Sequence, residues 1–309
     1  MLRGDSVPSF KHDRVTPAQI IILGFLLLIF TGAVLLMLPF STQEPGGASF
    51  GDALFTATSA TCVTGLVLHD TALYWSPFGQ LVILLLIQVG GMGVVTIAVA
   101  IFMFAGKRIG LKQRWVMQES ISAPQVGGIV RMTGFILKTA FLIEGVGALL
   151  LALRFCPQFG LGRGLWYAVF HSVSAFCNAG FDLMGVNSPF SSLTDYVGDP
   201  LVSNVIAFLI IIGGVGFLTW NDIREHKLHF RRYRLQSKLI LTTTLALILT
   251  GLLFFLLYEF EQGQWVDMSL WERINAAFFQ SVTPRTAGFN TVDLTGLSQP
   301  AQLLIILLM

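Results

Sequence analysis

The sequence has 309 residues, of which 54% are hydrophobic and 12% charged, and its formal net charge is +2. With a mean hydropathy of +0.73, the chain has too little polar surface for a water-soluble globule of this length. The composition indicates an all-α polytopic membrane protein, embedded in a lipid bilayer.

In chain order, residues 1–16 are polar and carry Arg3, Lys11 and Arg14. The apolar run behind them is too long for the core of a signal peptide and shows no clear small-residue cleavage site, so it reads as a retained first span. Uncharged runs at Ile20–Leu38, Phe78–Phe104, Leu201–Trp220 and Leu239–Tyr258 meet the need of about 20 residues for a helix to cross hydrocarbon. Met132–Leu153 is also long enough but contains Lys138 and Glu144. Fourteen of the nineteen Lys and Arg fall in three places: the amino terminus; Lys107, Arg108, Lys112, Arg114 and Arg131; and Arg224, Lys227, Arg231, Arg232, Arg234 and Lys238. If all three face the cytoplasm, each intervening block leaves and returns to the same side, which sets the topology; such basic runs are otherwise ordinary solvated or headgroup-facing surface.

This order divides the chain into an amino-terminal segment 1–16, a first unit 17–104, a basic loop 105–131, a second unit 132–221, a basic loop 222–236 and a third, unfinished unit 237–309. Each unit repeats an apolar span, a short half-helix, a glycine-containing motif and a second span. The half-helices are expected at Gly51–Ala60, Trp166–Phe176 and Trp271–Thr283, too short to cross the membrane. The motifs "TCVTG", "FCNAG" and "PRTAG" end at Gly65, Gly180 and Gly288, 115 and 108 residues apart. A second landmark repeats in the same order: "QVGGMGVVT" from Gln88 and "IIGGVGFLT" from Ile211. That pair reads first as packing glycines between helices.

In hydrocarbon, every backbone polar group needs a partner, so non-helical chain at membrane depth survives only where it is buried in protein or lines a watery path. Glycine supplies the backbone angles that let successive carbonyls point the same way. Such carbonyls can replace the hydration shell of K+, and the C-terminal end of a half-helix, carrying about half a negative charge, favours a cation. A single motif reads first as a helix cap and a turn; three in register indicate a filter. The cation-binding residues so identified are Thr61, Cys62, Val63, Thr64 and Gly65; Phe176, Cys177, Asn178, Ala179 and Gly180; and Arg285, Thr286, Ala287 and Gly288. K+ at these residues is the sole metal expected.

The stretches "FTATSATCVTGL" (Phe55 to Leu66), "FHSVSAFCNAGFD" (Phe170 to Asp182) and "FFQSVTPRTAGFNTVDL" (Phe278 to Leu294) resemble the membrane subunit of the Ktr/Trk/HKT superfamily of potassium transporters over essentially the whole chain. The short amino terminus resembles the Ktr subgroup. The resemblance implies four such units around one pore, Gly65, Gly180 and Gly288 as K+-favouring filter glycines, potassium uptake at the plasma membrane, a homodimer, and a cytosolic nucleotide-binding regulatory ring. The basic loops Lys107–Arg114 and Arg224–Lys238 are docking surfaces by that analogy. Na+ as a coupling ion stays open, and no nucleic acid or organic cofactor is expected.

One departure stands out. The sequence ends within "QLLIILLM", no fourth motif follows, and the mid-membrane gating loop that the resemblance implies for that span is not found. The chain is therefore expected to be incomplete or completed by another chain, and a non-conducting remnant is the competing reading. An intramembrane enzyme is disfavoured: the sequence has no HExxH, GxSxG or P-loop, and its Ser and His residues do not pair.

Several residues invite further roles. Arg285 lies at membrane depth, where a charge costs roughly 2.5–3.5 kcal/mol on insertion scales; it is expected to brace the filter through a carboxylate behind it, with Glu144 as the partner. An outward-facing Arg285 at the pore mouth and a hydrogen-bonded Glu144 at a helix contact are the alternatives. Lys138 is expected to snorkel to the cytoplasmic headgroups. Asp70, Asp182 and Asp293 each follow a motif, where they concentrate cations or are simply solvated loop residues. Asn178 offers its amide to an ion or to the filter wall. His171 reads as a satisfied buried histidine, and His226 with His229 has the spacing but not the surroundings of a metal site.

Overall fold

The computed structural model describes residues 16–94, 96–97, 110–120, 129–227 and 229–309. Apart from one isolated bridge between Thr42 and Trp75, the described residues form helices and loops. The amino-terminal basic segment 1–15, residues 98–104 of the run from Phe78 and residues 107–109 of the Lys107–Arg114 loop lie outside them.

The first unit opens with α1 (Pro17–Leu36), started by a reciprocal cap in which Thr16 and Gln19 satisfy each other's backbone N–H groups, with Pro17 at the first helical position. The half-helix α2 (Phe50–Cys62) starts on Ser49. The second span α3 (Pro77–Met92) starts on a Ser76–Pro77 pair and stops at Gly93, whose φ is +84°. After a short helix, α4 (Leu111–Ser120), the second unit repeats the plan with α5 (Ile129–Phe159), α6 (Leu161–Phe176) and α7 (Pro200–Val215). Here the second span starts on an Asp199–Pro200 pair and stops at Gly216, φ +86°. The third unit follows with α9 (Leu235–Phe254), continued by a π-helical turn to Glu259, then α10 (Leu270–Val282) and α11 (Gln299–Leu308). In each second span, an oxygen-bearing N-cap followed by proline stops the outer loop abruptly.

The half-helices fall where the spacing predicts them; α6 alone begins five residues earlier, at Leu161, because Gly160 (φ +82°) turns the chain directly out of α5. One span does not. Leu201–Trp220 reads as a single crossing, yet the chain bends by 91° between α7 and α8 (Phe217–His226). The bend sits at Gly216, and the Trp220 indole donates to the Ile212 carbonyl at 3.1 Å across it. The Trp220 ring lies 5.5 Å from Phe176, so α8 is tucked beneath the end of half-helix α6. Its other end is anchored by the buried Asp222, which accepts from the Ser237 hydroxyl at 2.6 Å and faces Arg234 at 3.4 Å.

The core follows the half-helices. Phe155, Phe170, Tyr196 and Phe289 are buried around the equally buried His171, joining residues of the second and third units. The outer faces of α1, α5 and α9 expose Leu23, Leu27, Leu142, Leu149, Leu245 and Leu253, the side chains a membrane-spanning helix turns to lipid.

Candidate filter formed by three loops

Each half-helix ends in the same backbone pattern. Val63 and Gly65 have φ of +57° and +75°, Asn178 and Gly180 +56° and +69°, and Thr286 and Gly288 +71° and +81°. Left-handed residues two apart, in every motif, are a costly choice for Val, Asn and Thr, at about 1–2 kcal/mol each. Such conformations persist only where the surroundings over-determine them. Here those surroundings are hydroxyls: Ser59 donates to the Leu66 carbonyl at 2.7 Å, Ser174 to Phe181 at 2.6 Å and Thr283 to Phe289 at 2.5 Å. Each bond joins the last turn of a half-helix to the residue after the motif glycine and closes the loop on itself.

The three loops are neighbours. A β-carbon on Gly65 would stand 2.8 Å from the Ala179 carbonyl oxygen, one on Gly180 would overlap the Ala287 carbonyl, and one on Gly288 would lie 3.6 Å from the Gly180 Cα. First, second and third motifs therefore touch in sequence order through their glycines. A cavity of about 390 Å³ is lined by Val63 and Thr64 of the first loop and by Thr283, Thr286, Ala287 and Gly288 of the third.

The repeated glycine pairs of the second spans pack helix against helix, as their sequence suggests, and they do so at this site. A β-carbon on Gly90 would overlap the Thr61 carbonyl, and one on Gly213 the Phe176 carbonyl. In the first and second units the second span thus packs its first glycine against its own unit's motif. A β-carbon on Gly91 would overlap the Cys177 side chain of the second motif, and one on Gly214 would stand 3.2 Å from the Asn178 side-chain amide and 3.9 Å from the Arg285 guanidinium of the third. The signal for this was the order of the two landmarks, each glycine pair following its motif in the second span, with Gly90 lying 25 residues after Gly65 and Gly213 lying 33 after Gly180.

Asn178 holds the wall: with its nitrogen turned to the Ala175 and Ile210 carbonyls, at 3.1 and 3.2 Å, its amide ties half-helix α6 to α7. Arg285 departs from expectation. Its guanidinium is half-buried and reaches the Thr244 hydroxyl at 3.3 Å. Among the described residues no carboxylate pairs with it, and Glu144 is engaged elsewhere. The buried Glu144 carboxylate accepts from the Gln88 amide at 3.0 and 3.1 Å, and its backbone carbonyl accepts from Ser172 at 2.7 Å. The pair therefore joins the first unit's second span to the second unit's first span, behind the filters, rather than bracing Arg285.

His171 is satisfied: the Leu183 N–H donates to Nε2 at 3.2 Å, so Nδ1 carries the proton and donates to the Tyr167 carbonyl at 2.7 Å. Asp70 and Asp182 are half-buried and hydrogen-bonded, whereas the exposed Asp293 caps the turn at Thr295. On the opposite side, Asp222, Glu225 and His226 bring ligand atoms within 4.8 Å of one another. The His226–His229 reading missed these two neighbouring carboxylates, but Asp222 is already engaged by Ser237 and Arg234.

The family described as "TrkH: Cation transport protein" matches residues 7–309. The chain belongs to the TrkH family. Among its relatives, "Ktr system potassium uptake protein B" of Bacillus subtilis (strain 168) is 44% identical over 97% of this chain and 66% of the relative. "Potassium/sodium uptake protein NtpJ" of Enterococcus hirae is 40% identical over 96% of this chain and 65% of the relative. The chain thus spans just under two thirds of the length of these relatives. The fold is similar to the crystal structure of the potassium transporter TrkH from Vibrio parahaemolyticus, with a TM-score of 0.68 at 18% identity over 96% of this chain and 57% of that one. TrkH-family membership makes this a membrane protein of an ion-transport family rather than an enzyme family.

Proposed function

We propose that the chain takes up potassium ions across the plasma membrane, through a filter bounded by Thr61–Gly65, Phe176–Gly180 and Arg285–Gly288. The observation that carries this reading is the thrice-repeated pair of left-handed residues, with the motif glycines packed against one another. Alternating handedness turns neighbouring carbonyls toward the same side, and carbonyls so arranged can substitute for the water around K+. The half-helices α2, α6 and α10 end at Cys62, Phe176 and Val282, so their negative ends meet the ion at the inner edge of the motifs. No covalent step is involved: the protein exchanges hydration for carbonyl oxygens and releases the ion on the far side.

The names of the two relatives support potassium as the ion and leave sodium as a second or coupling ion. In this reading the amino terminus and the basic loops face the cytoplasm. The membrane subunit works as a homodimer, and a cytosolic nucleotide-binding ring docks on the loops Lys107–Arg114 and Arg224–Lys238.

The test is potassium uptake in a bacterium stripped of its own uptake systems, with the protein or its Gly65→Asp and Gly180→Asp variants. Uptake is expected from the parent and lost in both variants at equal membrane abundance. Equal uptake by parent and variants, or none by a properly inserted parent with a regulatory subunit co-expressed, refutes the proposal.

A further inference from the structure

One outer segment touches all three units. The residues from Asn187 to Leu193 follow the second motif, and the Phe190 N–H donates to Asp70 Oδ2 at 2.8 Å. Through Oδ1 the same carboxylate holds the first unit's outer turn, accepting from the Ala72 and Leu73 N–H groups at 2.9 and 3.1 Å. Ser192, buried at 7% exposure, accepts from the Asn290 N–H at 3.1 Å, and its side chain lies beside the Asp182 carboxylate. The Leu193 N–H donates to the Asn290 carbonyl at 2.8 Å. Asp182 and Asn290 occupy equivalent places, each two residues beyond a motif glycine, Gly180 and Gly288. Phe190 and Ser192 are held at φ of +57° and +49°, and a β-carbon on Gly185 would overlap the Asp70 carboxylate. The segment has no slack on either side.

We propose that this segment is a clamp that fixes the spacing of the three filters from outside, with Asp70, Asp182 and Ser192 as positioning residues for ion selectivity. The inference rests on the potassium-filter reading above. Discrimination between K+ and Na+ depends on the size of the carbonyl cage and on the number and field of its dipoles. Only Phe181 separates Gly180 from Asp182, and only Phe289 separates Gly288 from Asn290, so a change in the Asp182–Ser192–Asn290 link is passed to both glycines. None of the three positioning residues needs to touch the ion.

The test compares potassium and sodium uptake by the parent, Ser192→Gly and Asp182→Asn. Glycine removes the hydroxyl while easing the left-handed backbone, so the fold is retained. Ser192→Gly is expected to lower the preference for K+ over Na+ roughly tenfold, the equivalent of about 1.4 kcal/mol. Asp182→Asn, which keeps the shape of the carboxylate but weakens it as an acceptor, is expected to lower the preference in the same direction. Rates that fall together for both ions, with preference unchanged, overturn the clamp while leaving the filter reading intact; a parent that moves neither ion overturns the filter reading and the clamp with it.

Discussion

Gly213→Ala separates the filter-packing account from ordinary helix chemistry, because the two predict opposite signs. Gly213 lies in the last turn of α7 with no left-handed strain of its own. In a helix exposed on that face, alanine would stabilise by about 0.8–1.0 kcal/mol. In this structure the new methyl would overlap the carbonyl oxygen of Phe176, whose side chain is itself 4% exposed. Overpacking of that kind costs typically about 1–3 kcal/mol, so the two contributions leave a net loss of up to about 2 kcal/mol. The group forced to move is the first carbonyl of the second motif, so selectivity is expected to suffer more than stability. Two controls bracket the effect. Gly145→Ala, with nothing within 4 Å of the added carbon, should raise the thermal unfolding temperature and leave transport unchanged. Gly214→Ala meets only side-chain ends at 3.2 and 3.9 Å and should be tolerated. The assays are thermal unfolding of the purified protein and uptake of K+ in competition with Na+. A Gly213→Ala protein as stable and selective as Gly145→Ala would refute the idea that the second spans set the filter from behind.

Further expectations follow from single residues. Gly65→Ala combines left-handed strain of about 1–2 kcal/mol with a carbon placed 2.8 Å from the Ala179 oxygen; K+ uptake should fall at least tenfold, and normal uptake would remove Gly65 from the filter. Because burial raises the Asp182 carboxyl to about 6, the folded protein binds more protons than the unfolded chain between the ordinary carboxylate value and that pH. Its stability should therefore decline as pH rises through this window and level off above it; Asp182→Asn should flatten this slope in unfolding scans, and an unchanged slope would assign it to another group. Glu144→Gln keeps the shape of the Gln88 contact while removing a buried charge that no cation among the described residues balances, so it should leave stability unchanged or raise it. A lower unfolding temperature would reveal a counter-charge.

Much of the site was legible because it is local. Half-helix, motif and following turn lie within about thirty residues, and three copies in register set the proposed filter apart from three unrelated helix caps. The spans were legible for the same reason, since hydropathy accumulates along the chain. What escaped was set by contacts across the chain. The break at Gly216 is hidden inside an apolar run, because a bend leaves hydropathy unchanged; only the left-handed glycine and the Trp220 hydrogen bond show it. Glu144 reads as a partner for Arg285 as long as charge is the criterion, yet Gln88, 56 residues away, supplies an amide that no charge pattern marks. The glycine pairs read correctly as helix-packing residues, but that their partners are the carbonyls of Thr61 and Phe176, at the ends of the half-helices, is set by the fold and not by the pattern.

These contacts account for how non-helical backbone is kept at membrane depth. The hydroxyls of Ser59, Ser174 and Thr283 close each loop on itself, but a closed loop can still shift as a body. Gly90 and Gly213 bar movement toward the second spans, which pack directly on motif carbonyls. Asp70, Ser192 and Asn290 bar movement on the other side through one shared segment. In the proposed filter, a cage that distinguishes two ions by their size needs both restraints, since either alone leaves the carbonyls free to follow the smaller ion. Selectivity should accordingly be lost when either side is loosened, by Gly213→Ala or by Ser192→Gly. Combining the two should cost less than the sum of the single effects, because once one wall yields the other has nothing left to hold. Strict additivity in the double variant would show that the two walls act on different steps of transport.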